Sequence, residues 1–174
     1  MSDTLSDSAK KIRLAIFDMD GVLTDGKLYL LDDGQNLKAF HCHDGLGIKL
    51  LARTGIITAV ITTHRSPLID KRMAQLQVAH VYQGIENKIT AYEDLIAKLK
   101  LRDEEVAYMG DDLPDIAIIR RVGLGIAVAN AADMVKQFAR YTTRRNGGDG
   151  AVREVCELIL HAQNTFKDVH EAFL

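Results

Sequence analysis

Short apolar runs alternate with longer amphipathic stretches along this chain, and glycine or acidic residues separate them. Residues 12–17 are rich in β-branched and aromatic side chains without a clear period of two, the pattern of a strand buried on both faces. Residues 56–62, 78–82, 106–109 and 124–128 read the same way. Between these runs the apolar positions take helical spacing. Leu46, Ile48, Leu50 and Leu51 follow Asp44, a candidate N-cap, and Gly55 supplies a stop. Pro67 opens a second helix, running to about Leu76. Ile85, Ile89, Tyr92, Leu95, Ile96 and Leu99 mark a third, and further helices are expected up to Arg121, over 131–138 and over 151–163. Strands and helices in strict alternation predict an α/β fold, a Rossmann-type parallel sheet flanked by helices.

Three segments stand outside the alternation. Residues 27–31 and 37–42 are apolar-leaning runs about Asp32, Asp33 and Gly34, a hairpin signature. The span 22–42 is therefore expected to form a β-hairpin flap beside the end of the first strand. Residues 1–11 are polar and read as a frayed lead-in, and residues 164–174 as a loosely held tail. The span 1–174 is expected to be one domain with one core.

Composition narrows the function classes. With 174 residues, 47% hydrophobic and 26% charged, the chain is ordinary for a globular protein. A formal net charge of −2 gives no reason to expect nucleic acid or an anionic membrane as partner. No apolar run approaches the roughly 20 residues that cross a bilayer, and the start of the chain has no apolar core of a secretory signal. Cys42 and Cys156 make no disulfide framework, as expected in a reducing cytoplasm.

The candidate chemistry sits at the ends of the buried runs. The first run stops at Asp18-Met19-Asp20-Gly21, the second at Thr62-Thr63-His64-Arg65, and the fourth at Gly110-Asp111-Asp112-Leu113-Pro114-Asp115; Lys88 lies near the N-terminal end of the helix expected after the third. In a parallel sheet all strand C-termini share one edge, where open α/β sheets bind ligands. Two carboxylates at such an edge repel unless a cation lies between them, and Mg²⁺ suits carboxylate and phosphate oxygen. A carboxylate can act as nucleophile, a second as general acid and then base, while a hydroxyl and an ammonium hold phosphoryl oxygens. The inventory is that of phosphoryl transfer through an aspartyl-phosphate.

Asp18-Met19-Asp20-Gly21-Val22-Leu23-Thr24, Ile61-Thr62, Lys88 and Gly110-Asp111-Asp112-Leu113-Pro114-Asp115 resemble, in order, the four motifs of the haloacid dehalogenase (HAD) superfamily. The resemblance spans residues 12–163. Leu23-Thr24-Asp25-Gly26, Phe40-His41-Cys42-His43-Asp44-Gly45, Tyr82-Gln83-Gly84 and Gly147-Gly148-Asp149-Gly150-Ala151-Val152-Arg153-Glu154 are similar, more narrowly, to the 3-deoxy-D-manno-octulosonate 8-phosphate (KDO 8-phosphate) phosphatases of lipopolysaccharide synthesis. The resemblance implies that Asp18 is the nucleophile and Asp20 the general acid/base. It implies Mg²⁺ held by the Asp18 carboxylate, the Asp20 backbone carbonyl and the Asp111 carboxylate, with Asp112 and Asp115 in support. Thr62 and Lys88 would bind the phosphoryl group, and Arg65 the substrate. It further implies no cap domain and a homotetramer whose hairpins form a shared barrel. Two positions depart from the family pattern: Thr63-His64 stands in a Thr-Gly-Arg stretch, and His43 replaces an arginine. Both fall where the sugar acid would be read.

Other residues carry weaker signals. His41, His43 and His64 offer a sparse transition-metal spacing, but two histidines so spaced more often share one face of a strand. Arg144, Arg145 and Arg153 suit a substrate carboxylate as well as a solvated turn. The alternatives to a KDO 8-phosphate phosphatase are a phosphatase of a related nonulosonate 9-phosphate, a receiver-like phosphoacceptor and a non-catalytic tetramerising module.

Overall fold

The computed structural model describes residues 3–32 and 36–173. The strands are β1 (Leu14–Phe17), β2 (Tyr29–Leu30), β3 (Asn36–Leu37), β4 (Ile57–Ile61), β5 (His80–Tyr82), β6 (Val106–Gly110), β7 (Leu124–Ala127) and β8 (Tyr141–Thr142). The helices are α1 (Asp3–Lys10), α2 (Cys42–Arg53), α3 (Pro67–Leu76), α4 (Lys88–Leu99), α5 (Ile116–Ile119), α6 (Asp133–Phe138), α7 (Ala151–Ala162) and α8 (Phe166–His170). Six strands form one sheet in the order β5-β4-β1-β6-β7-β8, all neighbours parallel. The α/β expectation holds.

The chain winds outward from β1 through β4 to β5, then returns to the other side through β6, β7 and β8. Right-handed crossovers in opposite directions put α2 and α3 on one face and α4 to α6 on the other. The reversal creates a switch point at β1, where the two halves part at the C-terminal edge. All four residues of β1 are buried, as are all of β6 and β7. Phe17 is level with Val60 on one side and Met109 on the other. One residue further along, Asp18 is level with Ile61 and Gly110, so Thr62 and Asp111 stand just beyond it on either side.

The two ends of the chain correct the sequence reading. The expected frayed lead-in contains α1, whose Leu5 and Ala9 are buried, as is Ile12 beyond it, and α1 packs on α7. The Gln163 amide donates to the carbonyls of Ala9 and Ile12, tying α7 to that segment. The signal was a sparse four-residue spacing among polar residues, too thin to count as a helix until α7 covers it. The expected loose tail carries α8, with Val169 buried and the Phe166 ring stacked on His161 at 4.0 Å. The strand β8, beyond the expected set, closes the sheet.

The hairpin is thinner than expected. β2 and β3 pair antiparallel over two residues each, and α2 begins at Cys42, where a strand was expected to end. Asp33 and Gly34 of the expected turn lie outside the described residues. Asp44 is not the N-cap of α2. It sits in the first turn, buried, and its carboxylate accepts from the N–H groups of Gly150 (3.2 Å) and Arg153 (2.8 Å). A side chain of α2 thus caps α7, a role sequence-local reasoning assigns to a neighbour in the chain.

Candidate active site

Asp18 follows β1 directly and is buried. Its Oδ1 accepts from Lys88 Nζ at 2.6 Å, and the same ammonium donates to Asp115 Oδ1 at 2.7 Å. Lys88 is the first residue of α4 and is itself buried. The helix begins three residues later than the apolar period suggested, which puts the lysine at its mouth. An ammonium has three protons; two are used here, and the third remains for an incoming acceptor.

Asp115 is saturated. Its Oδ1 also accepts from Tyr108 Oη at 2.6 Å, and its Oδ2 from the N–H groups of Asp111 (2.9 Å) and Asp112 (3.2 Å). With four donors on two oxygens, it braces the loop after β6 and has no lone pair left for a further ligand. Asp18, Asp111 and Asp115 nonetheless converge, each offering an oxygen within 4.8 Å of the others. The two carboxylates with free capacity are Asp18 and Asp111. Asp112 is exposed and caps the turn after it through the Leu113 N–H at 2.8 Å; the expected supporting role does not fit that placement.

Electrostatics single out the same pair. Burial pushes the Asp18 carboxyl above the ordinary range, the Asp115 charge adds to this, and Lys88 only partly offsets it. Asp111 is raised by burial, then by Asp18 and Asp115. Burial works against the charged form of Lys88, but Asp18 and Asp115 outweigh it and hold the group protonated. Two buried carboxyls crowded together with oxygens to spare suit a hard cation that prefers oxygen, so the donor set fits Mg²⁺.

A positive φ of 91° at Gly21 turns the chain under Asp111. A Cβ there would stand 2.1 Å from Asp111 Oδ2, so only glycine fits. Gly147 approaches the same loop from the far side: a Cβ on it would meet the Gly21 carbonyl oxygen at 1.7 Å. The glycine-rich segment before α7 therefore backs the loop that follows β1.

Asp20 is not one of the three converging carboxylates and has partners of its own. It accepts from Lys38 Nζ on Oδ1, pairs with His64 Nδ1 through Oδ2, and takes the Thr24 hydroxyl at 3.4 Å. Burial pushes its pKa upward, but Lys38 and His64 together outweigh that and hold the carboxyl below the ordinary range. Sequence reasoning missed Lys38, which follows β3 and belongs to no motif. It noted His64 as a departure and as a sparse transition-metal candidate, not as a partner of Asp20.

Thr62 is buried one residue past β4, its hydroxyl accepting the His64 N–H at 3.2 Å. Arg65 is not drawn to the carboxylates. It is exposed, lies against Gly84, and has no hydrogen-bond or ion-pair partner among the described residues. The histidines form no metal-ligating group among the described residues. Arg144, Arg145 and Arg153 line a separate cavity of about 1200 Å³ whose lining includes none of Asp18, Asp20, Asp111 and Asp115. There Arg153 pairs with Glu157 at 2.6 Å and Arg144 lies 3.6 Å from Glu154.

Residues 57–155 match the haloacid dehalogenase-like hydrolase family. The chain is 46% identical over 164 residues to the 3-deoxy-D-manno-octulosonate 8-phosphate phosphatase KdsC of Yersinia pestis, covering 94% of this chain and 88% of that one. It is 48% identical over 155 residues to KdsC of Escherichia coli K12, covering 89% and 82%. Among solved structures it resembles the KDO 8-phosphate phosphatase of Moraxella catarrhalis in complex with magnesium, phosphate and KDO. The TM-score is 0.97 at 41% identity over 100% of both chains. A probable YrbI family phosphatase of Pseudomonas syringae gives a TM-score of 0.97 at 48% identity, over 99% and 98%.

Proposed function

The chain belongs to the haloacid dehalogenase-like hydrolases, within the KDO 8-phosphate phosphatases, and we propose that it hydrolyses KDO 8-phosphate to KDO and phosphate through an aspartyl-phosphate on Asp18. The observation that carries the reading is the buried Asp18, fixed by Lys88 at the end of the central strand with Asp111 beside it.

The free oxygen of Asp18 attacks phosphorus, and the bond from phosphorus to the sugar oxygen breaks. Asp20, in its protonated form, gives that oxygen a proton. It then takes a proton from the water that attacks the aspartyl-phosphate, which regenerates the Asp18 carboxylate and releases phosphate. The negative phosphoryl group beside Asp20 favours the protonated form, against Lys38 and His64. Lys88 turns its remaining proton, and Thr62 its hydroxyl, to the phosphoryl oxygens. A Mg²⁺ ion held by Asp18, Asp111 and the Asp20 carbonyl would keep both carboxylates ionised and supply positive charge to those oxygens.

The span 1–174 is read as one domain acting in the cytoplasm, where its two unpaired cysteines stay reduced. No described helix is long and apolar enough to cross a membrane. The hairpin exposes Leu28, Leu30, Leu31 and Leu37, a surface that supports the reading of a homotetramer joined through the hairpins. His64 on Asp20 and an unpartnered Arg65 are the residues that bear on substrate choice, between KDO 8-phosphate and a nonulosonate 9-phosphate.

The test is phosphate release from KDO 8-phosphate, from a nonulosonate 9-phosphate and from simple sugar phosphates, with Mg²⁺, with EDTA and in Asp18→Asn. Selective release from KDO 8-phosphate that needs both metal and Asp18 is the expected result. Preference for the nine-carbon acid would replace the substrate, and no metal-dependent release would remove the reading.

A further inference from the structure

Asp20 is gripped by three side chains from three places in the chain: Thr24 in its own loop, His64 after β4 and Lys38 from the hairpin. Lys38 is the unexpected one. Its neighbours face solvent, with Leu30 74% and Leu28 71% exposed, yet the Lys38 side chain is only 13% exposed. A lysine on an open hairpin ordinarily extends its ammonium into water. This one folds inward onto a single acceptor, the Asp20 carboxylate. In a pair this largely buried, with the Asp20 side chain only 21% exposed, the cost of desolvation offsets much of the attraction, so the gain from turning the lysine inward lies elsewhere than in stability.

We propose that Lys38 is a positioning residue for Asp20, holding its carboxyl in line with the leaving oxygen so that the flap sets the efficiency of proton transfer. The inference rests on the reading of Asp20 as acid/base. Asp20 follows β1 by three residues and precedes the left-handed turn at Gly21, so its own backbone does little to fix the carboxyl's direction. Lys38 on one oxygen and His64 on the other remove that freedom. A proton donor misplaced by about 1 Å loses on the order of a hundredfold in rate.

Leaving groups of graded basicity test this. KDO 8-phosphate, phenyl phosphate and p-nitrophenyl phosphate are compared in single turnover, enzyme in excess, in Mg²⁺. Release of the alcohol or phenol is read, so that hydrolysis of the aspartyl-phosphate does not enter. An alkoxide cannot depart without a proton, whereas nitrophenolate can. Lys38→Met is expected to slow KDO release about 30- to 100-fold and phenol release less, with nitrophenolate release changed by under about threefold. Binding of KDO 8-phosphate changes little, and Lys38→Arg recovers most of the loss. Equal loss on all three substrates, no loss, or equal behaviour of the two aryl phosphates overturns the proposal; the last marks a direct contact with the sugar. Asp20→Asn serves as benchmark. If it shows no gradient, the reading of Asp20 itself has failed. If it shows one and Lys38→Met does not, only the role of Lys38 is lost.

Discussion

The end of β1 and the hairpin after it are neighbours in the chain and opposites in construction. At β1, Asp18, Lys88, Asp115 and Tyr108 are buried and tied to one another by short hydrogen bonds. In the hairpin, two strands of two residues each carry leucines on an open surface, and a lone two-stranded ribbon is marginal in water. The first region is preorganised within one chain. The second gains its order from what it touches, and here it touches Asp20 through Lys38. In the proposed mechanism, bond-making chemistry is thus built into the core edge, while proton transfer depends on a thin appendage.

The comparison breaks first at the nucleophile. Asp18→Asn is expected to lower phosphate release on the order of 10⁴-fold or more, since the amide cannot form the aspartyl-phosphate. Residual turnover close to wild type would move the chemistry out of the buried cluster.

Next in size is Lys88→Met. It leaves the carboxylates of Asp18 and Asp115 without their common counter-charge, and breaking such a buried pair costs about 3–5 kcal/mol. Thermal unfolding should show a fall in Tm of many degrees, together with loss of activity. A small shift would mean that the core edge is not held by charge.

Removal of Mg²⁺ sharpens the contrast through pH. Without a cation, Asp18 and Asp111 keep protons that the unfolded chain loses near pH 4, their folded values lying at about 6 and about 8. The folded protein then binds more protons than the unfolded one, so stability falls as pH rises from about 4 to about 8. Asp20, held low, acts in the opposite direction and only at more acid pH. Melting curves in EDTA should show that decline, and saturating Mg²⁺ should flatten it and raise Tm.

The smallest effect on stability belongs to the hairpin. Leu30→Asp changes an exposed side chain, so each protomer keeps its stability within about 0.5 kcal/mol. If the proposed tetramer forms through the hairpins, sedimentation is expected to show smaller species for Leu30→Asp than for the wild type. A tetramer that survives would locate its interface elsewhere.

The alternation of strands and helices and the aspartates ending β1 and β6 were legible because buried strands and catalytic loops leave dense local patterns. Asp18, Asp111, Thr62 and Lys88 all fall at the expected edge. Arg65 does not join them, because one residue in a loop decides the direction of a side chain and no periodicity records it. Asp44 read as a local cap and instead caps a helix more than a hundred residues away. The helix at the start of the chain was hidden because its few apolar positions acquire meaning only against α7.

Strand order follows from the sequence only as far as the parallel rule allows, and the meeting of four separate motifs follows from that rule alone: parallel strands share an end. What tertiary structure decided is which groups are spent and which are free. Asp115 is saturated by four donors, Lys88 retains a proton, and Lys38 turns inward to Asp20. A residue type states what a side chain can bind; only packing in three dimensions states what is left for it to bind.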